Sequence, residues 1–425
     1  MLQVESESRV TTFDPQGHRM GPVGTLACQF SIILSLLWMF GVLAELILPN
    51  TVPFLAFLPA VGALFLAPKS VAMKYPISLS VLGILTIYAT SLAWTIDPVA
   101  TTVATRSLLP TLLAVVIAAG LIPLRDVGQA LVWTIRIAVA VTVVALVLLP
   151  ETRTHISTDV YLDDYPGWHG LFFHKNKMAP FLVFGAASVL AFDRSFVVKW
   201  GTLGLIGILL LGSTSATGIS AAFLVVITWA WLRIYQGQED LRNSTIFTMI
   251  SSLGLMIVVV GSIMSLATIT SAYGKELTFS GRTFIWEASL DAIQRRPLFG
   301  HGLAALFWQE QISPETAEIW RQVGFPNTHA HNGPLDLTLQ LGLVGLVAFS
   351  VLWFTTFGKA WRRLRTEPDL SAWIVSVLVA QLFMSLSEDV YLGGWIAVLV
   401  MMKVLLMRRS ESLHAPPLSQ ATKWA

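Results

Sequence analysis

Two stretches of the chain hold residue types suited to binding a phosphate and moving a proton. The first reads Phe279-Ser280-Gly281-Arg282-Thr283-Phe284-Ile285-Trp286-Glu287. Ser280 is a candidate helix N-cap, and residues from Arg282 onward have helical character. Trp286, Leu290 and Ile293 then fall at i, i+4 and i+7, which predicts one apolar stripe. Arg282 would sit in the first turn, beside free backbone N–H groups. A guanidinium at a helix N-terminus suits an anion such as phosphate; the bland alternative is a loop charge solvated by water. The second stretch, Asn327-Thr328-His329-Ala330-His331-Asn332-Gly333-Pro334, enters an apolar segment. At its helix start, the His331 imidazole can act as a general base or donate to a phosphate. The alternative is a polar cap. His329 and His331 are not spaced i, i+4, which disfavours a two-histidine helical zinc site.

Two further places add charge. Trp168-His169-Gly170-Leu171-Phe172-Phe173-His174-Lys175-Asn176-Lys177 crowds basic and aromatic groups at the entry of another apolar segment. This fits an anionic ligand such as a lipid-linked phosphate, or else an interfacial anchor in lipid headgroups. A metal site from Asp159, Asp163, His169 and His174 has no recognised ligand spacing. Glu388 and Asp389 follow Ser385-Leu386-Ser387 between two apolar segments. Acidic groups beside a bilayer are paired, functional or solvated in a turn; Glu388 would take a salt bridge from a loop arginine or act as a base. Arg136 falls inside an apolar segment near one end, where snorkelling is its simplest explanation.

The elements that must position these groups are apolar. Of 425 residues, 55% are hydrophobic and only 12% charged, with a mean hydropathy of +0.69. Long uncharged runs identify an integral, all-α membrane protein. The basic residues are scattered over short loops, which argues against nucleic-acid binding. The single cysteine, Cys28, excludes an internal disulfide. Apolar runs are expected near 24–48, 52–67, 76–95, 108–124, 130–149, 178–192, 197–213, 217–234, 245–267, 333–357, 372–387 and 390–407, which makes about twelve spans. The first is too long for a signal-peptide core. Lys69, Lys74, Arg125, Arg194, Lys199, Arg233, Arg242, Lys359, Arg362, Arg363, Arg365, Arg408 and Arg409 then fall on one side. By the positive-inside rule, both termini are cytoplasmic. Residues 1–23 and 410–425 are expected to be cytoplasmic tails flanking a membrane domain at 24–409. Two long loops, about 150–177 and 268–332, and a shorter one at 96–107 face outward, which in a bacterium is the periplasm.

Gly281-Arg282-Thr283-Phe284-Ile285-Trp286, the Pro297-Leu298-Phe299-Gly300-His301-Gly302 run, and His331-Asn332-Gly333 leading into Leu341-Gly342-Leu343-Val344-Gly345 together resemble the signature of the O-antigen ligase and polymerase superfamily (Wzy/WaaL-like). The Trp168-His169-Gly170 and His174-Lys175-Asn176 pieces resemble its ExoQ-like exopolysaccharide-polymerase branch. The resemblance runs from about 160 to 400.

It implies a GT-C-like inner-membrane glycosyltransferase that needs no metal or other cofactor. Such an enzyme takes glycan from an undecaprenyl-pyrophosphate carrier at the periplasmic face and joins it to an acceptor. Chain-length regulators, export proteins and membrane lipids are its further implied partners. Carried over, Arg282 holds pyrophosphate and His331 is the acid/base or positioning residue; Glu388 joins the expected catalytic set from its own position, as the acid beside the bilayer. His169, His174, Lys175, Asn176, Trp286 and Asn332 contact pyrophosphate or glycan. Where relatives carry an arginine in the first loop, this chain reads Trp168-His169-Gly170, and the charge falls to Lys175 or His169. Polymerisation of repeat units is the favoured reaction. Ligation of glycan to lipid A-core and flipping of lipid-linked glycan are the rivals.

Overall fold

The structure is a computed structural model that describes residues 20–40, 51–72, 78–153, 167–172, 174–237, 282–307, 312–364, 366–391 and 395–407. Among the described residues all regular structure is helical. The first nine helices are α1 (Pro22–Met39), α2 (Val52–Leu66), the single turn α3 (Lys69–Ala72), α4 (Leu79–Thr90), α5 (Pro98–Leu121), α6 (Leu124–Leu148), α7 (Lys175–Phe192), α8 (Phe196–Gly212) and α9 (Ala216–Gly237). They are followed by α10 (Arg282–Arg295), α11 (Pro314–Val323), α12 (Gly333–Arg362), α13 (Pro368–Met384) and α14 (Trp395–Leu406). Five stretches among these residues are long and apolar enough to cross a membrane: Pro22–Met39, Pro98–Leu121, Leu124–Leu148, Ala216–Tyr235 and Gly333–Arg362. Shorter apolar helices accompany them. The chain is a helical, multi-pass membrane protein.

The packing follows from composition. Small residues let helices approach closely: Ala56, Ala60 and Ala63 of α2 are buried, as are Ala114, Ala118 and Ala119 of α5. Trp373 of α13 is fully buried, meets Phe192 edge-on at 4.7 Å, and donates its indole N–H to Ser188 of α7 at 3.2 Å. Lys403 of α14 is also buried. Its ammonium donates to the Ala119 and Ile122 carbonyls at 3.0 and 2.8 Å, which satisfies the C-terminal end of α5.

Several expectations are corrected. The segment 98–107 is not a loop but the first part of α5, because Asp97 accepts from the Val99 and Ala100 N–H groups at 3.0 Å and caps a helix led by Pro98. The short connection at 214–215 does separate two helices. α10 forms, but its buried face is Ile285, Ala288, Ser289 and Ala292, while Leu290 is exposed. The stripe is turned by one residue from the predicted one. Arg136 does not merely snorkel: its guanidinium pairs with Asp193, at the C-terminal end of α7. The expected span at 245–267, the groups Ser280, Gly281, Asp159 and Asp163, and most of both tails lie outside the described residues.

The expected span at 333–357 is interrupted. Gly342 has φ 67° and ψ −170°, which breaks α12 into two helical pieces. The Pro297–Gly302 run lies against the break and pairs with its backbone. His301 and Gly302 donate N–H groups to the Leu339 and Gln340 carbonyls, both at 2.9 Å. Leu343 and Val344 donate to the Pro297 and Leu298 carbonyls at 2.9 and 3.1 Å. The His301 ring is buried, with Nδ1 3.0 Å from the same Leu339 carbonyl. Both glycines are required by this contact. A Cβ on Gly342 would lie 2.1 Å from the Leu298 carbonyl oxygen, and one on Gly300 2.6 Å from the Gly342 nitrogen.

Gly342→Ala is therefore expected to destabilise the protein by more than the ~1–3 kcal/mol of backbone strain alone. Gly358→Ala, whose added Cβ meets only the flexible end of Arg362 at 3.8 Å, should be neutral or slightly stabilising. Thermal unfolding in detergent reads the difference; equal melting temperatures for the two variants would contradict the role given to the break.

Candidate functional site

The site gathers at one end of the helices, where four connections meet. α7 begins there, the 213–217 turn joins α8 to α9, the second long loop runs into α12, and the 385–391 turn leaves α13. At the centre, Arg282 Nη2 donates to Glu388 Oε1 at 3.0 Å. The pair is largely buried, the side chains being 17% and 8% exposed. Glu388 Oε1 orients the guanidinium, while Arg282 Nε is buried without a hydrogen-bond partner among the described residues. An arginine fixed through one nitrogen with another donor unmet suits a multidentate anion.

The histidines are placed by a pinned loop. Ala330 is held from both sides: its carbonyl accepts from Trp286 Nε1 at 3.1 Å, and its N–H donates to Asp336 Oδ1 at 3.1 Å. Asp336 in turn accepts from Gln340 Nε2 at 2.7 Å, and Gln340 Oε1 accepts from the Ala304 N–H at 2.9 Å. Asn332 caps α12 by accepting from the Leu335 N–H at 3.1 Å, and the Gly333 N–H donates to the Ser385 carbonyl at 2.8 Å. Between these anchors His331 takes φ +49°, the left-handed region that non-glycine residues rarely adopt. The turn brings the His329 and His331 rings together, tilted by 36° with centroids 3.9 Å apart.

The start of α7 adds a histidine and a lysine. His174 caps α7, its Nδ1 accepting from the Asn176 N–H at 2.9 Å, which leaves Nε2 to carry the proton of the neutral ring. Lys177, in the same first turn, lies 3.9 Å from Asp389. Burial pushes the Glu388 carboxyl above its usual range, while Arg282, His174 and Lys177 pull it back. His329 is held well below the ordinary histidine range, first by burial and then by His331, Lys177, Arg282 and His174. It is neutral at physiological pH.

The structure thus brings Arg282, Glu388, His331, His174 and Asn332 together, with Trp286 behind them as a support for the loop. Lys175, at the first position of α7, is buried, and the electrostatic neighbours of Glu388 and His329 are Lys177 and His174. His169 Nδ1 lies 2.8 Å from the Phe172 carbonyl and fixes the loop turn. Asn176 contributes its backbone N–H to His174. His329 joins the cluster as an addition to the site residues expected from sequence, and Lys177, read there within the basic stretch, takes the place expected of Lys175. Lys177 was legible as the residue three after His174, on the same face of a helix; His329 carried no such signal.

His329, His331 and Glu388 also offer ligand atoms within 4.8 Å of one another. A divalent cation there would have to compete with Arg282 for Glu388 and sit beside Lys177 and His174. The surroundings fit an anion better than a metal.

Comparison with known proteins finds similar chains. The O-antigen ligase family model (Wzy_C) matches residues 201–350. The exopolysaccharide production protein ExoQ of Rhizobium meliloti is 25% identical over 277 residues, which is 59% of this chain and 61% of ExoQ. Two proteins described as polysaccharide ligases match shorter stretches. That of Rickettsia felis is 26% identical over 29% of this chain, and that of Rickettsia conorii 32% identical over 17%. The matches span 32% and 18% of those two proteins, so all three relatives are covered over less than two thirds of their length.

The depressed His329 has a measurable effect on stability. As pH falls through about 6.5, the unfolded chain binds a proton at this position that the folded site resists, so stability falls below that pH. His329→Gln should lose less melting temperature than the parent protein between pH 7.5 and 5.5. Equal losses would contradict the electrostatic account of the cluster.

Proposed function

We propose that this chain, similar over residues 201–350 to the O-antigen ligase family and over 59% of its length to ExoQ, is an ExoQ-like member of the O-antigen ligase/polymerase superfamily that polymerises lipid-linked oligosaccharide repeat units in exopolysaccharide biosynthesis. The carrier is undecaprenyl pyrophosphate. The site faces the periplasm of a bacterial inner membrane, both termini are cytoplasmic, and the complete chain has about twelve GT-C-like spans. The observation that carries this reading is the Arg282–Glu388 pair, buried and with Arg282 Nε unmet among the described residues, beside two histidine rings in contact.

In this scheme the acceptor hydroxyl attacks the anomeric carbon of the carrier-linked glycan. A C–O bond forms, the bond to the pyrophosphate oxygen breaks, and the electron pair leaves with pyrophosphate. Arg282 and Lys177 stabilise the charge that develops on that oxygen, with His174 Nε2–H as a neutral donor beside them and side chains in the place a metal would otherwise take. His331 accepts the hydroxyl proton. Its neighbour His329 stays neutral, so the pair holds one proton and avoids the repulsion of two imidazolium rings in contact. Glu388 keeps the guanidinium aimed. Asn332 and Asn176 flank the glycan.

Ligation of finished glycan to a lipid acceptor is the second reading, favoured by the two Rickettsia ligases. It uses the same leaving group and the same residues. Transport without bond formation fits less well, because the ionisable cluster lies at one end of the helices instead of at mid-depth.

Arg282→Ala should lower polymer yield by at least about 100-fold, the scale of losing one preorganised charge donor. His331→Asn should do likewise; asparagine tolerates left-handed backbone and separates loss of the ring from loss of the turn. Both variants should remain membrane-inserted and abundant by immunoblot, and wild-type polymer from either would end the proposed site. In a strain lacking the chain, single repeats on the carrier at the periplasmic face are the expected product. Long carrier-linked glycan would instead identify a ligase, and single repeats confined to the cytoplasmic face a flippase.

A further inference from the structure

A second cluster of cations lies at the far end of α7. That helix starts at the candidate site with Lys175 and ends at Phe192. At 1.5 Å per residue, its 18 residues put Asp193 about 27 Å away, close to the thickness of a bilayer core. There the N-terminal turns of α6 and the 193–195 connection enclose a cleft of about 380 Å³. It is lined by Arg125, Arg136 and Arg194, by Asp193, and by Gln129 and Trp133 among others.

Three arginines face one carboxylate, and that carboxylate is committed. Asp193 Oδ2 pairs with Arg136, and its Oδ1 accepts from the Ser195 N–H at 3.1 Å. Arg136 is held further by Trp133, whose ring centroid lies 5.6 Å from the guanidinium carbon. Its Nε is buried with no hydrogen-bond partner among the described residues. The cleft therefore presents surplus positive charge and an unmet buried donor. The surface around it is apolar: Trp133 of its lining, and Phe196, Val197 and Trp200 in the first turns of the adjoining α8, are each more than half exposed. In a membrane protein, aromatic groups at such a rim mark the headgroup level.

We propose that this cleft binds the phosphate headgroup of an anionic phospholipid, in the leaflet opposite the candidate site. Arg125 and Arg194 hold the phosphate at the mouth, Arg136 meets it from within, and the acyl chains lie along the exposed faces of α6 and α8. The apolar rim favours a lipid over free phosphate, which needs no such surface. The assignment does not depend on the glycosyl-transfer reading.

The test is native mass spectrometry of the full chain, purified in detergent, washed free of lipid, and titrated with dioleoylphosphatidylglycerol or dioleoylphosphatidylcholine. Phosphatidylglycerol should be retained at concentrations about tenfold lower than phosphatidylcholine, and Arg125→Gln/Arg194→Gln should abolish that preference. Arg321→Gln, which removes an exposed arginine elsewhere, should leave it intact. Asp193→Asn, which releases Arg136, should strengthen retention, and it decides the matter if the double variant does not fold. Equal retention of the two lipids, an unchanged double variant, or an Asp193→Asn protein that binds no more tightly would overturn the proposal. Displacement of phosphatidylglycerol by millimolar inorganic phosphate would overturn the lipid assignment and identify a free-anion site.

Discussion

The interruption of α12 at Gly342 is the constraint on which the rest of this architecture depends. A helix break exposes carbonyl and N–H groups that hydrocarbon cannot satisfy. Here a second segment satisfies them: the Pro297–Gly302 run exchanges four backbone hydrogen bonds with residues 339–344. That exchange fixes where α10 ends relative to where α12 begins, and hence where Arg282 can reach. It also fixes the Ile96 N–H, which donates to the His301 carbonyl at 2.8 Å and ties the start of α5 to the same junction. The piece of α12 after the break, 343–362, has the ~30 Å needed to cross a bilayer by itself. The piece before it is released to carry Asp336 and Gln340 under the histidine loop.

From that junction the electrostatics of the site follow. Three of the four connections deliver charge to one small volume, and their anchors are hydrogen bonds between side chains and backbone. The histidine loop is pinned at Ala330, Asn332 and Gly333, and α7 is capped by His174. Cations are thereby kept near one another at a spacing they would not choose. Burial raises the proton affinity of Glu388 and lowers that of His329. A region that has already met the expense of assembling positive charge without water is preorganised for a polyanion, with little rearrangement left for binding.

Much of this was legible in the residues. Apolar run length identified the helical membrane class, and the α8–α9 break was visible in three small polar residues. A salt bridge from a loop arginine to Glu388 was foreseeable, because an acid beside a bilayer seeks a partner. What sequence could not supply was rotation and return. α10 turned by one residue because the small side chains Ala288, Ser289 and Ala292 pack closely, leaving Leu290 outside. Lys175 and Lys177 differ by about 200° around a helix, so only the actual start of α7 decides which meets the site. His329 and His331 meet through a left-handed residue that no periodicity announces. Leu341-Gly342-Leu343 reads as uninterrupted span until the partner of its broken backbone is known.

The buried Lys403 bears on how such a chain is built. Its ammonium stands in the last turn of α14 and is fully buried, away from water. It becomes acceptable once it reaches the open carbonyls at the end of α5, nearly three hundred residues earlier in the chain. The seam between these two helices therefore carries a polar requirement as well as an apolar one. Loss of the lysine would leave two helix-end carbonyls inside the bundle without this donor, and a displaced α5 would leave a buried ammonium without these acceptors. Two segments far apart in sequence are thus held to one relative depth and register by chemistry that lipid cannot replace.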